Sequence, residues 1–177
     1  MKKIFLKFSL LITVAILFSA CGKTISKNEN EEAYVDIIKT KEEIKTVIGR
    51  SFDIKSIKGN IGFLYFCNLQ DENYDERINM IDSLDTYFVN ENVVIYVINT
   101  GDEEEKVVDK MHEEGYMLDF IVDEDSQIAI SFEIEQTPTL ILTDIEGNII
   151  SKETEIRDFQ GYRKQIEKIL EEEIYQD

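Results

Sequence analysis

The sequence predicts a mixed α/β domain in three layers, a central sheet flanked by helices. Two apolar runs of strand length, Ile61–Phe66 and Asn92–Ile98, suit strands covered on both faces. Each is followed by a segment in which apolar residues return at helical spacing. The last third of the chain then changes to two short apolar segments around a Glu-Gly-Asn turn, with a closing helix behind them. Strands that alternate with helices and end in a hairpin give a sheet with both parallel and antiparallel pairs.

The elements follow in order. Residues 1–20 carry Lys2, Lys3 and Lys7 and no acid, and an apolar stretch, Phe8–Phe18, is broken only by Ser9 and Thr13. This is a secretory leader in form, too short to span a hydrocarbon core of ~30 Å as a permanent helix. Phe18-Ser19-Ala20-Cys21-Gly22 resembles the lipobox of bacterial lipoproteins, with Phe where Leu is usual. The resemblance implies that residues 1–20 are removed as a lipoprotein signal peptide and that Cys21 is lipidated. The domain is then held on the extracytoplasmic face of a bacterial cell membrane by its lipid. The alternative is an ordinary signal cleaved after Ala20, with Cys21 a free thiol. Residues 21–32 are polar, lack a hydrophobic period and read as a flexible tether; the domain is expected over 33–177.

Within it, Ala33–Ile38 reads as a short strand, and Lys41–Ile48 as a short helix with Ile44, Val47 and Ile48 on one side, stopped by Gly49. After the strand Ile61–Phe66, a helix over about Glu72–Val89 repeats Ile78, Ile81, Leu84 and Phe88. After the strand Asn92–Ile98, a helix begins near Gly101-Asp102. Asp102 is its expected N-cap, Glu103, Glu104 and Glu105 sit at the positive end of its dipole, and Val107, Val108 and Met111 form its stripe up to Gly115. Leu118–Val122 is extended. Ser126–Phe132 is a short helix capped by Asp125 or Ser126. Thr139–Thr143 and Asn148–Ser151 form the hairpin, and a helix over about Asp158–Glu173 turns Tyr162, Ile166, Ile169 and Leu170 inward.

Composition excludes several functions. The 177 residues carry a formal net charge of −18, and none of the thirty-seven acids lies in the leader. Such a field repels phosphate backbones and anionic lipid surfaces, so neither nucleic acid nor peripheral membrane binding is expected. There are two cysteines. With Cys21 carrying lipid, Cys67 has no partner for an intramolecular disulfide or a cysteine metal cluster. His112 is the only histidine and sits near the end of an exposed helix, so a zinc site has no support. No Gly-rich phosphate loop and no Gly-x-Ser-x-Gly elbow occurs, and no cofactor is expected.

The only proline is Pro138, inside Glu135-Gln136-Thr137-Pro138-Thr139-Leu140, between a short helix and a hairpin strand. This element order, and above all the stretch from Val122 through Thr137-Pro138-Thr139 to Asn148-Ile149, resembles the thioredoxin fold. It is similar in particular to the membrane-anchored thioredoxin-like proteins of bacterial cell surfaces, over roughly residues 33–172. The resemblance implies a cis Thr137–Pro138 bond before the C-terminal hairpin. It also turns the backbone of Thr137 toward the active face, where an extended peptide pairs by strand addition; the alternative is a trans proline opening an edge strand. The family's Cys-x-x-Cys falls on Asp71 and Tyr74. Both sulfurs are absent, which excludes the ordinary dithiol–disulfide cycle.

Asp71 is then expected to cap the helix. The cluster Asp71, Glu72, Asp75 and Glu76 matches no calcium loop and reads as a solvated helix start. Cys67 is either a single reactive thiol or a small buried hydrophobe. No cation lies near it in sequence, which favours burial. The expected function is therefore a tethered, non-redox module that binds a peptide or partner protein in a groove of Asp71, Tyr74, Thr137 and Pro138. Tyr74 serves as an exposed flat surface in that groove, and the acids favour a basic peptide. The alternative is a divergent thiol–disulfide oxidoreductase or isomerase acting through Cys67. A weaker third reading is a surface scaffold without a working groove.

Overall fold

The computed structural model describes residues 46–49 and 57–174. The leader, Cys21, the tether and the strand expected at 33–38 lie outside the described residues. Of the helix expected at 41–48, the described part differs from expectation. Thr46 makes a single antiparallel bridge to Ile121, Val47 N–H donates to Phe120 O at 2.8 Å, and a turn closes from Gly49 N–H to Thr46 O at 2.8 Å. A helix of two turns is marginal by itself, and here the backbone pairs with the sheet edge while Val47 packs on the core.

The elements run β1 (Ile61–Cys67), α1 (Tyr74–Phe88), β2 (Val93–Thr100), α2 (Glu104–Glu114), β3 (Asp119–Asp123), α3 (Gln127–Ser131), β4 (Thr139–Thr143), β5 (Ile149–Glu153) and α4 (Phe159–Ile174). They form one five-stranded sheet in the order β3-β2-β1-β4-β5. β1 pairs parallel with β2, and β2 parallel with β3; β4 runs antiparallel to both β1 and β5. The connections explain the directions. Helices α1 and α2 each carry the chain back across the sheet, which parallel neighbours require, whereas β4 and β5 are joined by a tight turn. In that turn Asp144 accepts the Asn148 N–H on Oδ1 at 2.7 Å, and Gly147 adopts φ 88°, a conformation that suits glycine.

β1 is central, and all seven of its residues are buried. Its alternation divides the core. Phe63, Tyr65 and Cys67 join a cluster with Ile78, Ile81 and Leu84 of α1, Val107 of α2, and Tyr162 and Ile166 of α4. Leu64 and Phe66 face the other way, toward Ile128 and Ala129 of α3, Phe132, and Ile141 of β4. The ring of Phe63 meets that of Tyr162 edge to face at 5.3 Å, which locks α4 over the sheet. Helices therefore cover both faces, as the near-continuous apolar strands require. No helix among the described residues is long and apolar enough to cross a membrane.

Candidate functional site

The C-terminal ends of β1, β2 and β3 point to one edge of the domain, where open α/β sheets place their sites. The loop that leaves β1 there, residues 68–73, is held by side chains from three segments. Asp71 Oδ2 accepts the Asn68 N–H at 2.8 Å, and its Oδ1 accepts the Thr137 hydroxyl at 2.7 Å. Asn68 Nδ2 donates to Thr100 O at the end of β2, at 3.0 Å. Asp102 Oδ2 accepts the Leu69 N–H at 2.8 Å. The Thr137–Pro138 peptide bond is cis. The sequence placed Asp71 beside Thr137 only through the family resemblance; in the structure a hydrogen bond joins them across sixty-six residues of chain.

Several local expectations are corrected. Asp71 does not cap α1. The N-cap is Asn73, in the left-handed region with no side-chain bond, and the carboxylate of Asp71 serves the preceding loop and Thr137. Asp102 does not cap α2, whose N-cap is Glu103; it is only 8% exposed and braces the β1–α1 loop instead. Ser126 is the N-cap residue of α3, as expected, but makes no side-chain bond there, and Asp125 Oδ1 accepts the Gln127 N–H at a long 3.4 Å. Another acid, not expected in this role, adds the shorter bonds. The fully buried carboxylate of Asp123, at the end of β3, accepts the N–H groups of Ile128 at 2.9 Å and Ala129 at 2.8 Å. The signal for this role was present in the sequence as an acid ending a strand just ahead of a short helix.

Tyr74 is the largest correction. It is 6% exposed and belongs to the core cluster with Cys67, so it presents no flat surface to a groove. As the first residue of α1 its side chain is buried rather than turned out. Burial pushes its phenol pKa far up, and Cys67 beneath it adds to the shift. Cys67 itself is 0% exposed. Its thiol pKa is also driven well up, first by burial and then by the charges of Asp71 and Asp102. A thiol in those surroundings stays protonated and unreachable.

The acid cluster is also partly engaged. Asp75 pairs with Lys110 of α2 at 2.8 Å and accepts the Tyr116 hydroxyl at 3.1 Å, while Glu72 and Glu76 are exposed. Burial, then Asp75, pushes the Tyr116 phenol up to about 12. His112 is exposed on α2. Among the described residues no three His, Cys, Asp or Glu side chains are grouped to hold a metal ion.

A mixed five-stranded sheet with helices on both faces and a Thr-Pro loop packed against the loop after its central strand defines a thioredoxin-like protein. The chain belongs to the AhpC/TSA family, whose model matches residues 38–152. Among solved structures it is similar to a thiol:disulfide interchange protein of the thioredoxin family from Chlorobium tepidum, with a TM-score of 0.66 at 16% identity over 73% of this chain and 92% of that one. It is similar also to StoA from Bacillus subtilis, with a TM-score of 0.61 at 16% identity over 70% and 93% of the two chains. A third is the pneumococcal exposed lipoprotein thioredoxin Etrx1 from Streptococcus pneumoniae, with a TM-score of 0.63 at 15% identity over 72% and 98%. Likenesses at these identities are likenesses of fold. No curated protein matches the chain.

Proposed function

We propose that this protein is a thioredoxin-like module that binds a peptide or partner protein without thiol chemistry, at the face where Asp71 meets Thr137. The observation that carries the reading is the 2.7 Å hydrogen bond from Thr137 Oγ1 to Asp71 Oδ1. It puts a carboxylate beside the Thr-Pro loop, at the position where the resemblance implies a cysteine. The exposed Glu72 and Glu76 beside it favour a basic ligand. Titrating the domain with an extended Lys/Arg-rich peptide is expected to give binding that weakens with added salt, as exposed charges are screened, and that weakens again in Asp71→Asn. Absence of binding at low ionic strength would sink this reading.

The second reading is a thiol–disulfide oxidoreductase working through Cys67. The comparisons speak for it more than for the first, since a solved neighbour is described as a thiol:disulfide interchange protein. Against it stand the burial of Cys67 and the absence of a second cysteine in the domain. Native protein is expected to react with a thiol-specific reagent at least ~100-fold more slowly than unfolded protein, because only local opening exposes the sulfur. Insulin reduction should stay at background. Rapid native labelling, or turnover abolished in Cys67→Ser, would reverse the ranking.

We also propose that the domain is tethered by lipid on Cys21 to the extracytoplasmic face of a bacterial membrane. The Ser19-Ala20-Cys21 leader motif supports this, as does the fold likeness to an exposed lipoprotein. The full chain should partition into detergent, and Cys21→Ser should abolish that. An unmodified N-terminus would refute it.

A further inference from the structure

Next to this face, the first turns of α1 and the β5–α4 connection enclose a pocket of about 300 Å³. Its wall on α1 begins at Asn73, two residues beyond Asp71. Met80 from α1, with Ile156 and Phe159 from the opposite side, is half-buried against the core, and the three make an apolar floor. Glu76, Arg157 and Asp158 are exposed and make a charged rim.

The positive charges around the pocket are already engaged. Arg157 Nη2 donates to Glu153 Oε1 at 2.9 Å. Arg77 also lines the pocket, but its Nη1 is sealed from solvent and stands against the buried Tyr65 hydroxyl, so its charge acts inward on the phenols of Tyr65 and Tyr162. The carboxylates are less committed. Glu76 forms no ion pair among the described residues, and Asp158 gives one oxygen, Oδ1, to the Gly161 N–H at 2.8 Å.

An apolar floor beneath a rim of carboxylates matches a side chain with an alkyl stem and a cationic head. The stem leaves water while the head stays at the rim. The volume lies at the small end of ligand pockets, the scale of one side chain. The position fits as well. Thr137 is bonded to Asp71, and an extended chain advances ~3.3 Å per residue with alternate side chains on one side. A peptide that pairs at Thr137 and crosses Asp71 therefore brings a side chain to the pocket within a few residues.

We propose that this pocket takes one lysine side chain of a bound peptide, its stem on Met80, Ile156 and Phe159 and its ammonium beside Glu76 and Asp158. The inference rests on the peptide-binding reading above and adds to it the position at which the peptide is selected.

Fluorescence anisotropy with the full chain in detergent tests it. The probe is a labelled, end-blocked alanine peptide with three spaced lysines, each replaced in turn by norleucine, which keeps the stem and removes the charge. Norleucine at one position is expected to weaken binding at least ~10-fold and at the others far less, because a charge-assisted contact at a fixed site outweighs diffuse attraction that salt screens. Glu76→Gln should lower the sensitivity of that position, and Met80→Lys, which supplies a tethered cation, should abolish it. Glu76 is exposed, so its variant carries the test even if Met80→Lys folds poorly. Asp71→Asn should weaken every peptide while the same position stays the sensitive one. Failure of all the peptides to bind at low ionic strength overturns the reading at Thr137 and this inference with it. Binding with equal loss at all three positions, or a sensitive position unmoved by Glu76→Gln, overturns the lysine pocket alone.

Discussion

Tyr74→Ala is expected to lower the unfolding free energy by about 3–5 kcal/mol, the range for removing a large buried ring. The ring sits at the start of α1 in the same cluster as Cys67, Ile78 and Val97. Its loss leaves a cavity under the loop that carries Asp71, at a point where the loop's own hydrogen bonds prevent collapse. Tyr74→Phe keeps the packing and should cost far less. The same pair of variants carries a pH signature. Burial raises the folded-state pKa of the phenol above its ordinary value of 10.0, so the neutral form is the one the fold holds. Its contribution is therefore complete below pH 10 and is lost as the pH rises beyond it. Urea unfolding of the wild type should show a decline above about pH 10 that is shallower in Tyr74→Phe. A Tyr74→Ala protein as stable as wild type would mean that the ring is not in the core.

Asp123→Ala is expected to cost about 3 kcal/mol, since two charge-assisted bonds to backbone N–H groups are lost and both donors stay buried. Ile128 and Ala129 donate those bonds at 2.9 Å and 2.8 Å, and both residues pack on the sheet face opposite α1. Without the carboxylate, the first turn of α3 has free donors in an apolar setting, and the chain leading to Thr137 loses its anchor. Asp123→Asn retains one acceptor and should fall between wild type and alanine. Equilibrium unfolding measures both, and a loss below about 1 kcal/mol would show that water replaces the carboxylate at little cost.

Patterns of apolar residues made the architecture legible. β1, β2 and α1 were visible because burial on both faces of a strand, or on one stripe of a helix, writes itself into Ile61–Phe66, Asn92–Ile98 and the Ile78-Ile81-Leu84-Phe88 spacing. Polar roles were harder to read. Asp71 and Asp102 each stand next to a helix start, where a local rule assigns a cap, and in the fold each carboxylate reaches instead to the loop after β1 or to Thr137. Asp123 does serve a helix start, but from five and six residues upstream, a distance the local rule does not cover. Tyr74 was misplaced for a related reason. Four acids surround it in sequence, yet the direction of a first-turn side chain is set by the helix axis rather than by its neighbours' polarity.

The order of strands in the sheet also dictates when the domain becomes whole. Among the described residues β1 is the first strand of the sheet in sequence and the middle strand in space, and one of its two neighbours is β4. Gly62 N–H meets its partner, Thr143 Oγ1, only after eighty-one further residues have been added. Until then β1, buried at every position in the finished fold, has one edge bare, the situation that invites pairing with another molecule. Closing so long a loop is slow compared with forming a hairpin. A chain released before β4 therefore holds a three-stranded fragment with its most adhesive edge open, and the last third of the sequence both completes the sheet and ends that exposure.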